Sequence, residues 1–206
     1  MSKGPKIALI VVGVILLVGF MTFSWFRGGY DNVVAMDENI KGKWAQVENQ
    51  LKRRYDLIPN LIETVKGYAK HEKELFENTA NARTKYFSAG SVKGKLAASG
   101  QLEGFLSRLL VLREAYPELK ANQNFLKLQD SLEGTENRIA VERKRYNEAV
   151  QMLNTYIRTF FGRLFASFAG VSSAEYYEIP EGEKEAPKVN FQSLSDQLVS
   201  YKSVMV

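Results

Sequence analysis

The stretch "FLKLQDSLEGTENRIAVERKRYNEAVQMLNTYIRTF", residues 125–160, sets apolar or aromatic side chains at Phe125, Leu132, Ile139, Tyr146, Leu153 and Phe160. These positions recur every seven residues, a repeat that keeps one line of side chains on one face of a packed α-helix. The companion line is mixed: Leu128, Thr135, Glu142, Ala149 and Tyr156. The spacing therefore predicts a bundle helix with a partly polar contact line rather than a strict zipper. Gly134, within this helix, is expected to permit a close approach by a neighbour. A helix patterned this way needs neighbours to bury its face, so the predicted fold class is all-α.

Working toward the amino terminus, Val33, Met36, Ile40, Trp44, Val47 and Leu51 are spaced by three or four residues and mark an amphipathic helix. The pattern resets at Asp56-Leu57-Ile58-Pro59. Asp56 is expected to cap a new helix whose first turn holds Pro59; the alternative is one helix kinked at Pro59. Leu61, Ile62, Val65, Tyr68, Ala69, Leu75, Phe76 and Thr79 continue the face. "SAGSVKGKLAASG", residues 88–100, reads as a flexible connection. A shorter helix then carries Leu102, Phe105, Leu106, Leu109, Leu110 and Leu112, and it stops before Tyr116-Pro117.

Beyond residue 160, "RLFASFAGV" is apolar and aromatic, and "EYYEIPEGEKEAPKVNF" replaces periodicity with Pro and Glu, so the fold is expected to end near Val171. Phe191, Leu194, Leu198 and Tyr201 share one helical face that could dock on the bundle, a neighbouring subunit or a membrane. The expected organisation is a tail and transmembrane helix over 1–29, a helical bundle over 30–171, and an acidic Pro/Glu linker with an amphipathic segment over 172–206.

"IALIVVGVILLVGFMTFSWF", Ile7 to Phe26, is twenty residues without a charge. At 1.5 Å per residue it measures roughly 30 Å, the hydrocarbon thickness of a bilayer. The run exceeds the apolar core of a usual signal peptide, and Phe23-Ser24-Trp25 is a poor cleavage site, so an uncleaved anchor in the lipid bilayer is expected. Lys3 and Lys6 precede the span, Arg27 follows it closely, and Lys41 and Lys43 lie farther on. The short basic tail favours a cytoplasmic amino terminus and an exported domain.

Chemistry is sparsely supplied. The chain has no cysteine and one histidine, which removes thiolate nucleophiles, disulfides and Cys-based zinc sites. That histidine lies in "RRYDLIPNLIETVKGYAKHE", residues 53–72, beside Glu72, but Leu75 stands where a zinc protease has its second histidine. One histidine also cannot complete a di-iron bundle site. The carboxylate pairs Glu133 and Glu136, and Glu72 and Glu74, are expected on solvated helix faces. No phosphate-binding loop, nucleophile elbow or triad is visible. The reading therefore assigns no catalytic, cofactor or metal residue and no small-molecule substrate.

Arg53, Arg54, Asp56, Pro59, His71 and Glu72 are expected instead to form a helix boundary, with Arg53, Arg54, His71 and Glu72 as a polar clamp between helices. Asn137, Asn147 and Asn154, if buried, would fix register. Residues 27–171 carry 23 Lys and Arg against 17 Asp and Glu, interspersed, which argues against a nucleic-acid surface.

The strings "YDNVVAMDENIKGKWAQVENQLKRRYDLIPNLIETVKGYAKHE", "YPELKANQNFLKLQDSLEGTENRIAVERKRYNEAV" and "APKVNF" resemble the LemA family of bacterial membrane proteins, from about Tyr30 to Phe191. The resemblance implies one N-terminal membrane span followed by an elongated, antiparallel four-helix, coiled-coil-like bundle, with no established enzymatic activity and no known cofactor. Some relatives carry a lipoprotein-type cysteine near the position of Gly29, which implies an extracytoplasmic domain at the bacterial cytoplasmic (inner) membrane. Where relatives commonly close the long helix with Phe-Pro, this chain has Phe160-Phe161-Gly162, and where they have Gly-Phe it has Gly170-Val171. The helix is therefore expected to run through residue 161 without a sharp stop. The functional expectation is a non-enzymatic envelope scaffold that binds copies of itself or other membrane proteins. The alternative is an accessory subunit of a membrane enzyme such as a protease.

Overall fold

The structure, a computed structural model, describes residues 3–178, and every regular element among them is helical. In chain order these are α1 (Lys3–Tyr55), α2 (Ile58–Lys66), α3 (Lys73–Ser88), α4 (Val92–Ala115), α5 (Pro117–Lys120), α6 (Gln123–Arg158) and α7 (Phe160–Ala169). α1 is one uninterrupted helix of 53 residues, about 80 Å long at 1.5 Å per residue. From Leu9 to Phe23 it carries no charge and none of its residues is buried by the other described residues, while Trp25 and Phe26 at the end of the apolar run touch α7. Among the described residues α1 is the one helix long and apolar enough to cross a membrane.

The second part of α1 pairs with α6 in antiparallel fashion. Val33 packs beside Tyr156 and Ile157, and Trp44 meets Tyr146 edge-to-face at 5.6 Å. Farther along, Arg54 reaches the Leu132 carbonyl at 2.7 Å, and Asn60 and Thr64 share a groove with Asn124 and Leu128. Each advance along α1 matches a similar retreat along α6, so α2 follows the line of α1 despite the break between them. α3 and α4 add an antiparallel hairpin: residues 71–78 lie along Phe105–Leu112, and residues 78–85 along Gly100–Arg108. The four arms α1–α2, α3, α4 and α6 make the antiparallel bundle that the family resemblance implied. Its core is built from Leu51, Ile58, Leu61, Leu102, Leu106, Leu109, Leu132 and Ile139, all fully buried.

On the predicted seam, Phe125, Leu132, Ile139, Tyr146 and Leu153 are each no more than 3% exposed, whereas Phe160 is 83% exposed. Phe160 leaves the seam because α6 ends at Arg158, which corrects the expectation of a helix running through residue 161. Thr159 is extended, and its Oγ1 accepts a hydrogen bond from the Gly162 N–H at 3.0 Å, starting α7 with an N-cap. A Cβ at residue 162 would collide with the Tyr156 carbonyl, so glycine there is what allows the corner to be this tight.

Four further expectations are corrected. The face read through residues 61–79 is interrupted by a turn between α2 and α3. Most of the "flexible" stretch at 88–100 is the first turns of α4, nucleated by Ser91, whose side chain accepts from the Gly94 N–H. Gly134 is exposed on α6, and a Cβ there would meet nothing within 4 Å. Nor does the packed chain stop at Val171. The α3–α4 hairpin is shorter than the α1–α6 pair, and α4 starts level with Glu48 through a Lys95–Glu48 ion pair. Below that level an extended strap, residues 171–178, covers the pair and buries Tyr177 against Trp44. The linker from residue 179 onward and the face at Phe191, Leu194, Leu198 and Tyr201 lie outside the described residues.

Because Gly134 is an open helix-interior glycine, Gly134→Ala should raise stability by about 0.5 to 1 kcal/mol. Leu132→Ala, two residues away, should lower it by about 2 to 5 kcal/mol through the cavity it leaves. Urea denaturation of the detergent-solubilised full chain measures both.

Candidate functional site

Of the six residues expected at the helix boundary, the structure draws Arg54 inward. Arg54 and Glu103 are buried, at 7% and 8% exposure. Arg54 is the last arginine of α1 and faces α4 and α6. Its Nε and Nη2 donate to Glu103 Oε2 at 3.1 and 2.9 Å, and its Nη1 donates to the Leu132 carbonyl at 2.7 Å. Nη1 also lies 3.1 Å from Glu136 Oε2. One guanidinium thus ties α1, α4 and α6 together with the fork geometry that a lysine lacks. Burial pushes the Glu103 carboxyl above the usual carboxylate range, and the Arg54 charge opposes that push. The neighbouring Tyr55 phenol is pushed up by the same burial and by the Glu103 charge.

The rest of the predicted clamp does not gather there. Arg53 and His71 are exposed, and His71 sits in the turn before α3 with Glu72 at the helix entry. Asp56 does not cap α2, since Leu57 holds the N-cap position with no side-chain bond, while Pro59 lies in the first turn. Asp56 accepts instead from Lys52 at 2.6 Å and from Arg83 at 3.1 Å, and these cations hold its carboxyl below the usual range. Glu103 and Glu136, the true partners of Arg54, carry no local signal in the sequence, because they lie far along the chain.

The second constellation is the grip of α6 on the strap. Asn154 Nδ2 donates to the Ala174 carbonyl at 2.9 Å, and its Oδ1 accepts from the Ala174 N–H at 2.9 Å. Asn147 does the same for Tyr177, at 3.0 and 2.8 Å. A primary amide offers one donor and one acceptor side by side, so it completes the two backbone groups of one extended residue. Seven residues of helix rise about 10.5 Å and three residues of extended chain about 10 Å, which is why asparagines seven apart meet residues three apart. Tyr146 Oη donates to the Glu175 carbonyl at 2.9 Å between them. Arg143 closes the end, stacking over the Tyr177 ring at 4.4 Å and donating Nη2 to its hydroxyl at 3.0 Å. Asn137, the third asparagine on the sequence list, is exposed.

Among the described residues, no three metal-ligating side chains come together. The Arg54–Glu103 pair and the amide grip both hold the chain to itself, and Glu103 Oε1 is left without a hydrogen-bond partner among the described residues. What the fold and these constellations define is a membrane-associated protein whose long apolar helix continues into a braced helical bundle. The chain belongs to the LemA family, whose sequence profile matches residues 43–191. It is similar to magnetosome protein MamQ 2 of Paramagnetospirillum magneticum, 28% identical over 210 residues, covering 89% of this chain and 76% of that protein. It is also similar to magnetosome protein MamQ of Magnetospirillum gryphiswaldense, 26% identical over 210 residues with the same coverage, 89% and 76%. Protein LemA of Metamycoplasma hominis is 23% identical over 172 residues, 82% of this chain and 78% of that protein.

Arg54→Met should destabilise the bundle by about 3 to 5 kcal/mol, because Glu103 is left buried without its cation. In that variant the Glu103 carboxyl rises further above its unfolded value. The folded protein then takes up the proton first, so the deficit should be full at alkaline pH and shrink as pH falls through the raised value. Denaturation measured across pH checks both the size and the sign.

Asn147→Ala and Asn154→Ala should each release their end of the strap. The amides of Tyr177 and Ala174, respectively, should lose hydrogen-exchange protection, while Asn137→Ala leaves both protected.

Proposed function

We propose that this chain is a single-pass scaffold of the bacterial cytoplasmic membrane. It has no catalytic activity of its own and acts by binding proteins, copies of itself among them, through the outer faces of its bundle. The observation that carries this reading is the continuity of α1. The apolar segment and the first arm of the bundle are one helix without a hinge, so whatever binds the bundle is held at a set geometry to the membrane. The buried and half-buried polar groups support the reading as well. Buried Arg54 and Glu103 bond to each other, and half-buried Asn147 and Asn154 bond to the strap, as a structural part requires. Relatives bear the names magnetosome protein and LemA, and neither name denotes a reaction. The side of the membrane belongs to the same proposal: the basic residues Lys3 and Lys6 ahead of the span favour a cytoplasmic amino terminus and an extracytoplasmic bundle.

Protease added to intact spheroplasts should digest the bundle, and cross-linking in the same membranes should capture it in complexes larger than one chain. A protected bundle would reverse the topology. A monomer without partners would remove the scaffold role, and a stoichiometric enzyme in the cross-linked complex would replace it with that of an accessory subunit.

A further inference from the structure

α7 is too short to span a bilayer, at ten residues or about 15 Å, yet it is apolar on two sides. At about 100° per residue, Gly162, Phe165, Ala166 and Ala169 fall on one side, and that side is packed against α1 and Val33. A Cβ at Gly29 would fall inside the Phe165 ring, so the two helices touch there. Phe160, Phe161, Leu164 and Phe168 occupy a separate arc of about 100°, and all four are exposed, Phe168 at 63%. Arg163 and Ser167 fill the wedge that remains, and Arg158 joins Arg163 along the groove beside Phe160 and Leu164.

The position of this bare face says what covers it. Phe161 meets Trp25 edge-to-face at 5.0 Å, and Phe168 meets Phe26 at 5.2 Å. Trp25 and Phe26 are the last residues of the apolar run. The exposed stripe of α7 is therefore turned toward the end of the span. Gly29 lies three residues beyond it, an axial rise of about 5 Å, within the depth at which amphipathic helices lie in the head-group region. The aromatic and arginine composition suits that zone, with rings among the acyl-chain ends and guanidinium groups on phosphates.

We propose that α7 is a membrane-interface helix that sets Phe160, Phe161, Leu164 and Phe168 into an anionic lipid surface, with Arg158 and Arg163 on its head groups. The bundle then has two membrane contacts, and its rotation about the span is fixed. This rests on α1 crossing the bilayer, and the test keeps the two claims apart.

Full-length protein is reconstituted into vesicles of phosphatidylglycerol and phosphatidylethanolamine carrying brominated acyl chains. Three single-tryptophan forms are compared: W44F, which leaves Trp25; W25F/W44F/F168W; and W25F/W44F/V111W, with the reporter on the exposed face of α4. L164W replaces F168W if circular dichroism shows that F168W disturbs the fold. Emission from residues 25 and 168 should be quenched by a similar fraction, and that from residue 111 left unchanged. Quenching at residue 25 with none at residue 168 overturns the α7 contact while the span stands; quenching at residue 168 alone does the reverse. A residue 168 reporter shielded from acrylamide but untouched by brominated lipid means that a second copy covers the face, which also overturns the proposal. R158Q/R163Q should lower the quenching at residue 168 to its level in brominated phosphatidylcholine; no change overturns the anionic preference.

Discussion

A single helix that must satisfy two solvents organises this molecule. From Ile7 to Phe26 α1 turns apolar side chains in every direction, as hydrocarbon demands. From Val33 onward the same helix offers one apolar stripe, which α6 covers in antiparallel register. No loop separates the two regimes. The remaining elements supply what that arrangement leaves undone. The α3–α4 hairpin covers the far part of the α1–α6 pair, the strap covers part of the near half, and α7 closes the end next to the apolar run.

The buried and half-buried polar groups are where the packing becomes specific. Apolar stripes tolerate a shift of one heptad, but a guanidinium that must reach Glu103 Oε2 and the Leu132 carbonyl together does not. The asparagine pair does the same for the strap, since only one register matches a helical rise to an extended one. Of the three asparagines considered for register, Asn147 and Asn154 are half-buried and hold the strap while Asn137 is exposed, and the partners of the two lay out of view. Asn147 and Asn154 sit 30 and 20 residues from the backbone they hold.

What was legible in the sequence was short-range and periodic. The heptad from Phe125 to Leu153, the apolar run, the helix stop at Tyr116-Pro117 and the family strings all act within one helix or one motif. Phe160 shows the limit of that logic. Its seven-residue spacing continued past the point where Thr159 and Gly162 had already turned the chain, and the cap signal in Thr-x-x-Gly was outweighed by the repeat. The small residues of 88–100 look like a flexible connection by composition, although Ser91 followed by Gly94 is a helix entry. The strap had no periodicity to read, because its hydrogen bonds come from side chains on another element. Glu103 was likewise silent: a carboxylate between Leu102 and Leu106 announces a buried cation only once the fold brings Arg54 to it.

The line of α1 and α2, which stay aligned across their break and are backed by the 36 residues of α6, gives the molecule a fixed height. At 1.5 Å per residue α6 is about 54 Å long, well beyond the thickness of the head-group layer. The bundle is a post, and its far tip, where α2 gives way to α3 and α5 to α6, is its most distant point from the lipid. Anything that grips the tip is held at that standoff and anything that grips the strap is held nearer the bilayer, so distance from the membrane becomes a property encoded along one helix.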